Sequence, residues 1–420
     1  MREGNAGRWY FGWNIVAAAT AITLLTVGMR MGIGPFFLPM AEDLGMSRSL
    51  LAGIVAIGML CYGLGMPLAG HLADTHGTRF VLLLGTVIVV GAIAWTVTAR
   101  HPVAFCLAYG VLLSLGFSFT SPVALTPVIS RWFTRRRGMA LFFLSTGSMA
   151  GIAVLTPVLT WFIQAAGWQN TLLGFAAVFV ALVVPATFWI IRDQAPAHTD
   201  LPPGQGGGGE RSAGAGAAAD DALLSFREAV RTRPFWQIVL GLFACGYSMN
   251  LLGTHGVPML VDHGFDPITA GYGIGLIGLV AIPSTVVLGR LSDVLQRKNL
   301  LALIYLVRGL GFIALLLAAS VWELYLVAAV AGIVWAGSIA LSSAILADVY
   351  GIRLVGVLYG WAYLGHQVGA MISSWLGGWG YEAFASHWVA FGGSALVLVA
   401  AAAVAFHLPL RGFVQAPVAR

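Results

Sequence analysis

Residues 70–79 read GHLADTHGTR, and residues 289–298 read GRLSDVLQRK. Gly70, Leu72 and Asp74 align with Gly289, Leu291 and Asp293 at a shift of 219, and Arg79 aligns with Lys298 at the same shift. Working outward, Pro39 and Met40 fall over Pro258 and Met259, Asp43 over Asp262, and Gly45 over Gly264. Farther along the shift is 218, which sets Gly138, Gly147 and Gly151 over Gly356, Gly365 and Gly369. A series held at near-constant offset through most of both halves marks an internal duplication.

The duplicated unit is apolar. Of 420 residues 59% are hydrophobic and 9% charged, where soluble domains carry about 25% charged residues. Runs longer than ~18 apolar residues recur, enough to cross ~30 Å of hydrocarbon. In lipid every backbone donor and acceptor must be satisfied internally, so these runs are helices. The sequence therefore predicts an all-α membrane protein, twelve transmembrane helices arranged as two six-helix halves. The spans read as 11–38, 49–72, 79–98, 103–130, 138–163 and 168–191, then 235–260, 268–292, 299–319, 322–349, 354–380 and 387–409. Six spans per copy is an even number, so the copies share orientation and relate by an axis along the membrane normal.

Three regions follow: a bundle over 1–192, a linker over 193–232, and a second bundle over 233–420. The linker, DQAPAHTDLPPGQGGGGERSAGAGAAADDA over 193–222, is Pro-, Gly- and Ala-rich without apolar periodicity. It leads into Ser225 and Glu228, whose spacing is that of a capping box and predicts a short surface helix. No short apolar segment with a cleavage site precedes the first span, so no signal peptide is expected.

Charge sets the orientation. Arg8, Arg79, Arg131, Arg135, Arg136, Arg137, Arg192, Arg231, Arg233, Arg297, Lys298, Arg353 and Arg411 fall at one set of helix ends, and only Arg48 and Arg100 at the other. The positive-inside rule places the first set, and both termini, in the cytoplasm. The net charge of +6 is thus a topology signal, and no nucleic-acid partner is expected. Lys298 is the one lysine among 22 basic residues, a bias of GC-rich genomes that points to a bacterial inner membrane. Cys61, Cys106 and Cys245 lie inside apolar spans, as small hydrophobes rather than disulfide partners or metal ligands. No cofactor or metal is expected.

Twelve spans as two sixes, a central cytoplasmic linker and GHLADTHGTR between spans two and three resemble the major facilitator superfamily. The family's pattern there is Gly, Asp four on, Gly seven on and Arg nine on, matched by Gly70, Asp74, Gly77 and Arg79. The second copy carries Gln296 in place of the second glycine, which predicts a less tight turn. The resemblance implies that Asp74, with Arg131 at the end of span four, holds the two halves together at the cytoplasmic face when the cavity opens outward. The set Gly70, Asp74, Gly77, Arg79, Arg131, Gly289, Asp293 and Lys298 reads as a conformational latch; solvated loop charge is the alternative. WYFGWNIVAAA at 9–19, FFLPMAEDLGMSRS at 36–49 and RWFTRRRGMA at 131–140 are similar to bacterial monocarboxylate-transporter-type and oxalate/formate-type members. LVAIPSTVVLG at 279–289 lacks the Asp and Arg of animal monocarboxylate transporters, so their site does not carry over.

A charge at the bilayer centre costs ~2.5–3.5 kcal/mol and marks function. All 16 acids fall at helix ends or in loops, whereas Arg30 and Arg308 fall inside spans. The interior is positive, and a substrate anion would balance it. Arg30, on span one, is the first candidate, since a guanidinium gives a carboxylate two parallel hydrogen bonds. Snorkelling or a bond to backbone carbonyls is its alternative. Arg308 either touches substrate or braces span eight or twelve. Asn250, Tyr363, His366, Gln367, Ser121 and Trp335 complete the candidate binding set. His366 and His255 are the candidates for proton coupling, and a hydrogen-bonded packing role is the alternative for both. These features favour a secondary carrier of a small organic anion, a monocarboxylate, working by rocker-switch alternating access with proton coupling and acting as a monomer. The alternatives are an exporter of drugs or other small molecules and an exchanger of dicarboxylates. A cation exporter predicts a buried cavity acid, and an intramembrane enzyme a nucleophile–base cluster; neither pattern is in the sequence. No ATP-binding loop is present, so gradients supply the energy.

Overall fold

The structure, a computed structural model, describes residues 10–133, 136–194 and 225–409. Arg8, Trp9, Arg135, Arg411, linker residues 195–224 and both chain ends lie outside the described residues. So do the side chains of Arg137, Gly138, Asp293, Arg353 and Gly356. Ten described segments are long and apolar enough to cross a membrane. One of them, Met139–Ile190, holds two passes that reverse at Gly167, whose φ of 81° suits a residue without Cβ. Ile352–Phe384 adds a further pass, which makes twelve.

Prolines and glycines divide several spans. Span one is Gly12–Met31 followed by Gly34–Leu44, longer than the expected 11–38. Pro35 has no N–H to continue the ladder, so the helix restarts there. Span four, Pro102–Trp132, carries a π-helical stretch at Cys106–Leu113 and restarts at Pro122. Span ten, expected as one helix, is Val321–Ile333 and Gly337–Tyr350 with an unwound step between. Spans seven, eight and nine are Arg233–Asp262, Pro267–Val294 and Arg297–Leu317, and span twelve ends in Gly393–Phe406. The surface helix before span seven forms as Phe226–Ala229 with its capping box intact.

The duplicated motif is less of a loop than its sequence suggests. Span two, Arg48–His76, keeps Gly70, Leu72 and Asp74 in its last turns, and Gly77 alone (φ 89°, ψ 154°) makes the turn into span three, Thr78–Thr98. In the second copy two extended residues, Gln296 at φ −63° and Leu295 at φ −95°, replace that positive-φ glycine. The departure at Gln296 thus changes the turn as its sequence predicts.

Each half buries its own apolar core, and the halves meet along three helix pairs through small residues. A Cβ on Gly271 of span eight would come within 2.7 Å of Thr160 on span five. One on Gly34 would lie 3.0 Å from the Gly253 carbonyl, and one on Gly378 2.4 Å from Ala52. These approaches lie at mid-depth or toward the face opposite the motif turns. Within the second half, Gly246 sits where a Cβ would fall 1.9 Å from the His366 carbonyl oxygen. Gly246→Ala must therefore push spans seven and eleven apart. It is expected to cost about 1–3 kcal/mol, read as a lower thermal midpoint of the purified protein.

Candidate functional site

Arg30 stands in the last turn before the break in span one, where free carbonyls favour a cation. Its guanidinium lies 4.3 Å from the Tyr62 ring centroid. Nη1 contacts Met59 Sδ at 2.9 Å and donates to Asn250 Oδ1 at 3.2 Å, while Nε is buried without a partner. No carboxylate pairs with it among the described residues. Asn250, fully buried on span seven, spends its own Nδ2 on the Gly246 carbonyl at 2.9 Å, which aims its oxygen at Arg30. The guanidinium therefore reaches across from the first half to the second. It also lines a small pocket between spans one, two and four, with Met59, Tyr109, Ser114 and Phe117 in the wall. Arg30 is the only charged residue of that wall. Ser121 is buried beside Tyr62.

From span eleven, His366 and Gln367 bring side chains that are each 2% exposed, and none of their polar side-chain atoms has a partner. Tyr363 stacks on the His366 ring at 4.7 Å and 8°. Gln367 packs on Gly63, one residue past Tyr62. Arg30, Asn250, Ser121, Tyr363, His366 and Gln367 thus come together at mid-depth, from four helices.

Arg308 does not join them. It is 1% exposed, and its Nη2 donates to the Val334 carbonyl at 2.7 Å, the Trp335 carbonyl and Ser338 Oγ at 3.3 Å. Its guanidinium lies 5.2 Å from the Trp335 ring. It braces, as the alternative reading has it, but the helix braced is span ten at its unwound step rather than span eight or twelve. Trp335 is 3% exposed and packs with Arg308. Arg308→Met strands those carbonyls and is expected to cost about 1.5–3 kcal/mol of stability. The thermal midpoint should fall while the relative uptake of different anions stays as in the wild type. His255 is bonded by Nε2 to the Ser374 carbonyl at 2.7 Å and packs on Phe37, a packing role.

At the motif face Asp74 meets Arg131 of its own half at 3.6 Å, both well exposed. Asp193, not Asp74, caps span three, accepting from Thr78 N at 2.8 Å, and Arg79 Nε donates to the Ile191 carbonyl. Lys298 lies over Phe406 at 5.9 Å. Arg297 pairs with Asp348 at 2.7 Å, again inside one half. At the opposite face the halves are joined. Arg48 donates to Asp262 at 2.5 and 3.0 Å, His387 bonds the same acid at 2.9 Å, and Ser49 N donates to Glu382 at 3.0 Å. This cluster, together with Tyr62 and Met59, escaped the sequence reading. Its one signal was Arg48, a rare base on the arginine-poor side.

A model of the Major Facilitator Superfamily matches residues 19–321 and 257–418. YcxA of Bacillus subtilis (strain 168), an uncharacterized MFS-type transporter, is 27% identical over 365 residues, 82% of each chain. Human monocarboxylate transporter 11 is 28% identical over 277 residues, covering 66% of this chain and 54% of that one. A bacterial homolog of the human lysosomal transporter Spinster, solved in an inward-facing and occupied conformation, superposes with a TM-score of 0.72 at 16% identity. The match covers 98% of this chain and 100% of that one, and shows a shared fold.

Proposed function

The chain belongs to the major facilitator superfamily, a family of membrane transporters, and on that premise we propose that it carries a small organic anion, a monocarboxylate, by alternating access. The carrying observation is Arg30, a mid-depth guanidinium with a buried, unpartnered Nε and no acid beside it. A carboxylate bound there replaces the missing charge. Asn250, Tyr363, His366 and Gln367 then contact the rest of the substrate. With Arg308 committed to span ten, Arg30 is the one cation at the site among the described residues, which fits a monocarboxylate better than a dicarboxylate. The likeness to human monocarboxylate transporter 11 supports the same class.

The distribution of positive charge supports a cytoplasmic motif face in a bacterial inner membrane. On that orientation the outer face is the one bridged between the halves, while the Asp74–Arg131 pair lies within the first half. Proteoliposomes test the reading. Labelled short monocarboxylates should accumulate without ATP, faster when an inward proton gradient is imposed. Equal uptake of cationic drugs, with no carboxylate transported, would overturn it.

A further inference from the structure

The two halves answer the same structural question differently at the face opposite the motif turns. Asp43 and Asp262 are repeat mates at a shift of 219, and Gln169 and His387 at the shift of 218 that holds in the later spans. In the first half Asp43 accepts from Trp168 Nε1 at 3.2 Å, Gln169 Nε2 at 2.7 Å and Arg100 at 2.9 Å, all in its own half. In the second half Asp262 keeps that donor, with His387 in the place of Gln169, but takes its arginine from across the interface. The repeat mate of Arg48 is Pro267, so that cross-half bond has no counterpart. The duplication has thus made one acid an internal clasp and the other a bridge, and has put a titratable ring only on the bridge.

We propose that Arg48, Asp262 and His387 form a proton-responsive gate, closed while the imidazole is neutral and released when it binds a proton. The geometry sets the sign. With Nε2 donating to Asp262, the neutral ring's one N–H is satisfied, and Nδ1 is buried without a partner. The Tyr381 ring at 4.5 Å and the Phe391 ring at 6.0 Å surround it. Protonation would create a second N–H with nothing to accept it. Every element packed on the ring adds to the tally of charge. Span two brings Arg48, span seven Asp262 and, deeper, His255, and the following turn brings His263 at 5.8 Å. Span eleven brings Tyr381, next to Glu382, which is engaged by Ser49 N. Asp262 favours the charged ring, while Arg48 and His263 oppose it, and burial is the largest influence. The balance holds the His387 imidazole below its ordinary value. A group depressed in the closed state stabilises closure above its ordinary pKa, and that stability is lost as pH falls through the depressed one. Acid therefore opens this face.

The test is a distance measurement between spin labels at exposed Glu42 and Ala383, one per half, on the full chain in lipid nanodiscs with its native cysteines replaced. The wild type should show one short distance near pH ~8 and a growing long-distance population toward pH ~5, changing by up to about tenfold per unit of pKa difference. His387→Gln keeps a donor for Asp262 without titrating there, and should stay closed across that range. His387→Trp offers Asp262 the ring N–H that Trp168 gives Asp43 and should behave likewise. Acid opening that survives in both variants overturns the proposal, as does a wild type that stays closed at the lower pH.

Discussion

Arg30→Gln should raise the KM for the best carboxylate substrate at least about 30-fold, the lower end of the ~2–5 kcal/mol lost when one member of a buried charge pair is truncated. The amide can still meet Asn250 but carries no charge. Arg30→Lys keeps the charge and loses the planar fork, so its uptake should fall between the two. Stability separates a binding role from a structural one. A lone cation in a low-dielectric interior destabilises the empty protein, so Arg30→Gln should melt at the same temperature or higher while transport collapses. Arg308, whose Nη2 is already engaged by two backbone carbonyls and a hydroxyl, should show the reverse pattern. Unchanged uptake in the Arg30→Gln protein would remove the anion-binding role.

Asp262→Ala should shift the conformational balance toward opening of the Arg48 face. The acid accepts two bonds from Arg48 across the interface and one from His387. Losing such charge-assisted bonds costs about 1.5–3 kcal/mol, a tenfold to hundredfold change in the closed-to-open ratio. The pair is partly exposed, which favours the lower part of that range. Hydrogen exchange should accelerate at the outer ends of spans two, seven and eleven, near Ala52, Met259 and Gly378. Asp262→Asn, which keeps an acceptor, should accelerate it less. If exchange there is unaltered in the alanine variant, small-residue packing alone closes the face.

Much of this protein is written in its composition. A chain that is 9% charged can satisfy its backbone in lipid only as helices, and duplication fixes their number and the relation of the halves. Arg30 was legible for the same reason, since a charge deep in an apolar run needs a partner and no acid shares its depth. The capping box at Ser225 and Glu228 was legible because its bonds close within one turn.

What the sequence left open depends on contacts between distant segments. Arg30 and Arg308 look alike as charges within spans, yet one reaches across to an amide of the other half and the other meets the carbonyls of the unwound step of span ten, 26 and 27 residues away. Asp43 and Asp262 look alike as repeat mates, yet one is bonded within its half while the other accepts from an arginine 214 residues earlier. Burial in lipid is a local property of a run of side chains, which is why composition alone determined the helices. Which buried charge is satisfied, and by what, depends on how the two bundles lean together, and only the tertiary structure decided that.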